Sequence, residues 1–162
     1  MNSFHVKKLT FDSLPAWRER MRRERKRVVA TNGCFDLLHV GHVRYLEQAR
    51  SLGDTLMIGV NSDSSVRQLK GEGRPLNSAE ERAEVLAALE SVGAVLIFDE
   101  MRATRFLAAI APDIYVKGGD YTLESLNQEE VVAVRQGGGT IQILPLVPGR
   151  STSSLMERIR TL

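Results

Sequence analysis

With Cys34 as the single cysteine among 162 residues, no disulfide can form within the chain, which agrees with a reducing compartment. No apolar run approaches the ~20 residues that a membrane-spanning helix requires. The opening stretch, MNSFHVKKLTFDSLP, does not have the charged-then-apolar layout of a secretory leader. The expectation is a cytoplasmic protein with no membrane partner. Strong charge imbalance is also missing. A formal net charge of +2 is too small to indicate nucleic acid as a partner. The run from Arg18 to Arg27, RERMRRERKR, is locally basic, yet Leu14, Trp17 and Met21 keep helical spacing across it. Its arginines therefore read as the wet side of an amphipathic helix. Neither the lysine-bearing P-loop nor a G-x-G-x-x-G turn occurs, so a nucleotide would have to be held by other means.

What is present fits one soluble globular domain spanning residues 1–162, with 43% hydrophobic and 26% charged residues. Short β-rich runs alternate with helical patterns, which predicts an α/β fold with a parallel sheet. Five strands are expected, at Arg27–Thr31, Thr55–Val60, Ala94–Phe98, Asp113–Val116 and Thr140–Leu144. They show no polar alternation, as expected where helices cover both faces. Helices are expected near Val43–Ser51, Ser78–Ser91, Ala103–Ile110, Gln128–Arg135 and Thr152–Arg160. Ser78 and Glu81 read as a capping box, Pro112 as a helix stop, and the Gly137–Gly139 run as a turn into the last strand. Residues 1–27 are expected to add a helix packed beside the core through Leu14, Trp17 and Met21, or a contact between subunits.

Three polar clusters follow expected strands. The first, TNGCFDLLHVGH (Thr31 to His42), leads into a helix. His39 and His42, three apart, can face one side, and Gly41 between them lets an anion approach the backbone. The helix start supplies unpaired N–H groups and a positive dipole end. The second is Lys117-Gly118-Gly119-Asp120-Tyr121. The third is Pro148-Gly149-Arg150-Ser151-Thr152-Ser153, at the start of the last helix. Its hydroxyls read as ordinary caps, but Arg150 beside them suits a polyphosphate. Ligands of open parallel sheets bind at the carboxyl ends of strands, where all three clusters are expected.

The G-x-F-D-x-x-H-x-G-H pattern from Gly33 to His42 resembles the signature of the cytidylyltransferase-like nucleotidyltransferases. Arg150–Ser153, RSTS, resembles that family's second signature. Within the family the chain is most similar to the heptose 1-phosphate adenylyltransferase branch. That likeness rests on Val60–Asn77 (VNSDSSVRQLKGEGRPLN), the E-x-R of Glu80–Arg82, and Val116–Tyr121 (VKGGDY), and it runs from about Val28 onward. The resemblance implies a single Rossmann-like domain and transfer of AMP from ATP, as its magnesium complex, to a sugar 1-phosphate. In many members of that branch the activity is fused behind a sugar kinase domain. These residues include none, so a separate protein is expected to make the sugar phosphate. A homodimer is also expected, although no seam is readable.

A phosphate monoester, with a second pKa of about 6, needs no base to make it a nucleophile. The site must instead align the reactants and stabilise charge on the α-phosphate and the departing pyrophosphate. The expected catalytic residues are His39 and His42, donating hydrogen bonds to the phosphates, and Lys117, binding triphosphate oxygens with Arg150. Thr31, Gly33, Cys34, Phe35, Gly41, Gly118, Asp120, Ser151, Thr152 and Ser153 complete the expected nucleotide site. Asp36, Arg44, Asn61, Asp63, Lys70, Arg74 and Tyr121 are expected at the acceptor. Arg44 stands where glycerol-phosphate cytidylyltransferases carry lysine. Asp36 either orients its loop or meets the waters of a phosphate-bound Mg²⁺. No direct protein ligand for the metal is expected. Lys70 to Asn77 reads either as an exposed connection or as a flap bringing Lys70 and Arg74 over the substrates.

Rival readings remain at this stage. Cys34, Asp36, His39 and His42 could be drawn as a zinc cluster, without the usual paired-cysteine spacing. Cys34 could be drawn as a nucleophile, though direct attack by a phosphate leaves it no task. A sensor that binds nucleotide without chemistry is a third. The nearest enzymatic alternative is a cytidylyltransferase acting on glycerol 3-phosphate or another polyol phosphate.

Overall fold

The computed structural model describes residues 4–119, 121–145 and 152–162. After a 3-10 turn at Phe4–Lys7, the chain runs through β1 (Lys8–Leu9), α1 (Leu14–Arg23), β2 (Val28–Gly33), α2 (Val40–Ser51) and β3 (Thr55–Asn61). It continues through α3 (Asp63–Lys70), α4 (Ala79–Ala88), β4 (Ala94–Phe98), α5 (Thr104–Ile110), β5 (Ile114–Gly118), α6 (Gln128–Gln136), β6 (Thr140–Leu144) and α7 (Thr152–Arg160).

The strands form one parallel sheet in the order β1-β4-β3-β2-β5-β6. The apolar runs of the inner strands have a direct cause: successive residues of a strand enter opposite cores, whereas β6, at the sheet edge, mixes exposed and partly buried residues. Val28 and Ala30 of β2 join Leu14, Trp17 and Met21 of α1, Phe106, Leu107 and Ile110 of α5, and Val134 of α6. Val29, between them, joins Leu46 and Ala49 of α2 and Ala83, Leu86 and Ala87 of α4. This is the Rossmann-like α/β class.

Three features differ from expectation. The sheet has six strands rather than five. The additional one, β1, is two residues long and pairs Lys8 and Leu9 with Val95 and Leu96 at the sheet edge, too short to leave a periodic signal. Residues 63–70 form a helix, α3, started by Ser62, whose hydroxyl accepts from the Ser65 N–H. Arg18 is not on the wet side of α1. It is 8% exposed and donates to the Ile110 and Ala111 carbonyls at 2.9 Å each, satisfying the end of α5.

Strand order reverses at β2, with β3 on one side and β5 on the other. The connections leaving β2 and β5 diverge there and open a crevice at the carboxyl ends of the strands.

Candidate active site

The crevice is a cleft of about 510 Å³. Its floor is the exit from β2. A Cβ on Gly33 would sit 3.0 Å from the Phe35 ring, so glycine is what lets that ring fold back over the strand end. Phe35 takes a left-handed conformation, φ 48°, a sparsely populated region for a bulky residue. Its ring then meets His42 edge-on, 5.6 Å between centroids. The spacing from Gly33 through Phe35 to His42 is thus one packed unit.

His39 is the N-cap of α2, and its Nδ1 accepts from the Gly41 N–H at 3.1 Å. The backbone N–H of His39 lies 3.4 Å from Nδ1 of His42, closing a capping box in which two imidazoles take the usual Ser and Glu places. A neutral imidazole that accepts at Nδ1 carries its proton at Nε2. Both rings are therefore Nε2–H donors on the cleft wall. Burial, reinforced by the neighbouring His39 ring, pushes His42 down to about 4. It stays neutral through the physiological range, a hydrogen-bond donor rather than a cation.

Lys117, near the end of β5, is 8% exposed and lines the same cleft. Its ammonium lies 5.4 Å from the Tyr115 ring centroid and 5.2 Å from that of Tyr121, distances at which a cation is attracted to the ring face. Glu130 of α6 stands 3.9 Å from the ammonium.

On the opposite side the loop before α4 is tied down by Asp36. Its carboxylate, 4% exposed, accepts from Arg74 Nε at 2.6 Å, from the Leu76 N–H at 2.8 Å and from the Asn77 N–H at 3.0 Å. Burial pushes the Asp36 carboxyl up, but the hydrogen bonds from Asn77, Arg74 and Leu76 outweigh it and hold the group below the usual carboxylate range. Behind this loop, Arg82 is 2% exposed. It donates to the Cys34, Asn61 and Asn77 carbonyls at 2.6, 2.8 and 3.0 Å, and to Asp63 at 2.8 Å. One guanidinium thereby joins the ends of β2 and β3 to the 70–77 segment. α7 approaches as well, with Thr152 Oγ1 donating to the Leu37 carbonyl at 3.4 Å.

The cleft gathers His39, His42, Lys117, Gly33, Cys34, Phe35, Gly41, Gly118, Thr152 and Ser153 of the expected catalytic and nucleotide residues. Of the expected acceptor residues, it gathers Asp36, Asn61, Lys70, Arg74 and Tyr121. Three others are not brought there. Thr31 is buried below, 2.9 Å from the Val116 carbonyl and 2.8 Å from the Tyr45 hydroxyl. Arg44 is exposed on α2, outside the cleft wall. Asp63 starts α4 by accepting from the Ala79 N–H at 2.7 Å. Asp120, Arg150 and Ser151 lie outside the described residues. The Cys34 thiol is pushed up by burial, the reverse of what activates a nucleophile. Among the described residues no group of three His, Cys, Asp or Glu side chains is placed to hold a metal ion.

Arg102 and Glu130, also on the cleft wall, were not legible from the sequence. Arg102 follows β4 without a motif, and Glu130 looks like a routine acidic residue in a first helical turn. Among the described residues no helix is long and apolar enough to cross a membrane.

The cytidylyltransferase-like family model matches residues 30–159. The chain is 54% identical over 134 residues to bifunctional protein HldE of Citrifermentans bemidjiense, covering 83% of this chain and 27% of that protein. It is 50% identical over 150 residues to bifunctional protein HldE of Geotalea uraniireducens, covering 93% and 30%. The chain thus spans under a third of the length of these relatives. Among solved structures, the lipopolysaccharide core biosynthesis protein of Thermoplasma volcanium superposes with a TM-score of 0.62 at 26% identity, covering 75% of this chain and 97% of that one. Pantoate-beta-alanine ligase of Francisella tularensis, at 12% identity and a TM-score of 0.60, shares the fold over 96% of this chain and 72% of its own.

Proposed function

The chain belongs to the cytidylyltransferase-like family and is a nucleotidyltransferase, and from that premise we propose that it transfers AMP from ATP to D-glycero-β-D-manno-heptose 1-phosphate. The products are ADP-heptose and pyrophosphate. A phosphate oxygen of the acceptor forms the new bond to the α-phosphorus while the bond to the β-phosphate oxygen breaks, and pyrophosphate leaves with that electron pair. No proton has to be removed from the nucleophile, because a sugar phosphate with a second pKa of about 6 is largely a dianion at neutral pH.

The observation that carries this reading is the imidazole pair capping α2, each ring accepting a backbone N–H at Nδ1, on the same cleft as Lys117. The two Nε2–H groups and the α2 dipole stabilise charge gathering on the α-phosphate, and Lys117 takes oxygens of the departing pyrophosphate. Lys70 and Arg74, on the 70–77 side, receive the acceptor phosphate. Arg150 and Ser151, which lie outside the described residues, are assigned to the triphosphate in this reading, and Asp120, also outside them, to a sugar hydroxyl.

Magnesium would enter with ATP and offset the charge of its phosphates. The carboxylates of the described cleft wall, Asp36 and Glu130, are engaged by protein donors, which fits an ion that would be held through ATP rather than by these side chains.

The test is a matrix of ATP, CTP, GTP and UTP against heptose 1-phosphate, hexose 1-phosphates and glycerol 3-phosphate, read by pyrophosphate formation. The highest kcat/KM is expected for ATP with heptose 1-phosphate. A maximum at CTP with glycerol 3-phosphate would replace this reading with the polyol one, and nucleotide binding without pyrophosphate from any pair would indicate a sensor.

A further inference from the structure

Glutamate at the third position of a helix ordinarily reaches back to the N-cap N–H. In α4 it does so, with Glu81 accepting from the Ser78 N–H at 2.9 Å. Glu130 occupies the same position of α6 behind the N-cap Asn127 but turns inward and is 5% exposed. Burying a carboxylate is costly unless donors replace its water. The donors come from two other elements. Oε1 accepts from the Ala103 N–H at 2.9 Å, and Oε2, at 3.0 Å, shares the single Tyr115 hydroxyl proton with Asn32 Oδ1 at 2.6 Å. Burial, together with the Glu130 charge and hydrogen bond, raises Tyr115 well above its ordinary value, so the phenol keeps its proton. The same Oε2 stands 3.9 Å from the Lys117 ammonium.

We infer that Glu130 is a positioning residue for nucleotidyl transfer, acting through Lys117. Its carboxylate is fixed at both oxygens and provides a stationary negative charge beside a long, flexible cation on the cleft wall. The inference rests on the role proposed above for Lys117. A helix cap explains neither the inward turn nor the approach to the ammonium. A neutral amide would satisfy the Ala103 N–H equally well, so what the carboxylate adds is its charge beside the buried Lys117 ammonium.

The test is a double-mutant cycle of Glu130→Gln and Lys117→Ala, read as kcat for pyrophosphate release from ATP and heptose 1-phosphate, with thermal melts confirming folding. Glutamine retains the shape and an acceptor for Ala103 but removes the charge. Glu130→Gln is expected to lower kcat about 10-fold and Lys117→Ala about 10²-fold, with the double variant no slower than Lys117→Ala. A merely structural residue would slow both backgrounds equally, and that additivity, or an unchanged kcat in Glu130→Gln, overturns the inference. Unchanged turnover in Lys117→Ala overturns it together with the lysine's proposed role, whereas a slowed Lys117→Ala with full additivity overturns the inference alone. If Glu130→Gln does not fold, Tyr115→Phe, which removes the hydroxyl fixing Oε2, takes its place with the same non-additivity expected.

Discussion

The His39 N–H lies 3.4 Å from Nδ1 of His42, and the two rings are 4.0 Å apart between centroids. Each imidazole therefore has its Nδ1 occupied by backbone, which sets the tautomer of both and ties their orientation to the start of α2.

His39 has two separable duties. Asparagine is among the strongest N-caps, so His39→Asn should keep α2 intact and leave the melting temperature nearly unchanged. It should still lower kcat about 10²-fold, the scale for losing a transition-state donor. A folded variant with full turnover would remove His39 from the chemistry. His42→Ala is expected to lose at least ~10²-fold.

The neutral state of His42 makes a pH prediction. Its folded value of about 4 lies below the ordinary value of about 6.5, so the unfolded chain binds more protons between those limits. Stability from this group is then complete above pH 6.5 and falls as pH drops toward 4, by roughly 3 kcal/mol. Urea unfolding at pH 7.5 and 4.5, taken as the difference between wild type and His42→Gln, measures it. A difference independent of pH would mean that His42 titrates in the fold as it does in the unfolded chain.

Arg82 holds three backbone carbonyls from separate segments, so removing it strands all of them. Arg82→Ala should destabilise by about 3–5 kcal/mol. Arg82→Lys should recover only part, because one ammonium cannot reproduce a planar fork of donors. Equal chemical-denaturation midpoints for lysine and arginine would contradict this.

Asp36 anchors the 70–77 segment, and its folded value lies below the usual carboxylate range. Its contribution to stability is therefore present above the ordinary Asp value of about 3.9 and lost as pH falls below it. Asp36→Ala, leaving the Leu76 and Asn77 N–H groups and Arg74 without their acceptor, should cost about 1–3 kcal/mol. It should also open residues 70–77 to proteolysis. Resistance equal to wild type would show that the loop holds without it.

The long elements were legible because their apolar patterns are strong. β2 to β6 appear within a few residues of the expected runs, and Ser78 with Glu81 marked the start of α4 correctly. The glycines, the phenylalanine and the histidines of the first cluster converge because their spacing matches one strand-to-helix turn. What escaped notice depends on tertiary partners. β1 exists only because β4 offers an edge, and Arg18 is buried only because the end of α5 presents two free carbonyls. Glu130 resembles any capping glutamate until Ala103, Tyr115 and Lys117 surround it. Thr31 and Asp63 sit beside cleft residues in the chain, but their side chains go to Val116 and to α4.

The central claim is that the bond broken lies between the α- and β-phosphates. ATP labelled at the α-phosphate in one reaction and at the γ-phosphate in another, each with heptose 1-phosphate, tests it most directly. The account predicts α-label in the sugar nucleotide and γ-label in pyrophosphate; γ-label transferred to the sugar, or α-label remaining in ADP, would contradict it.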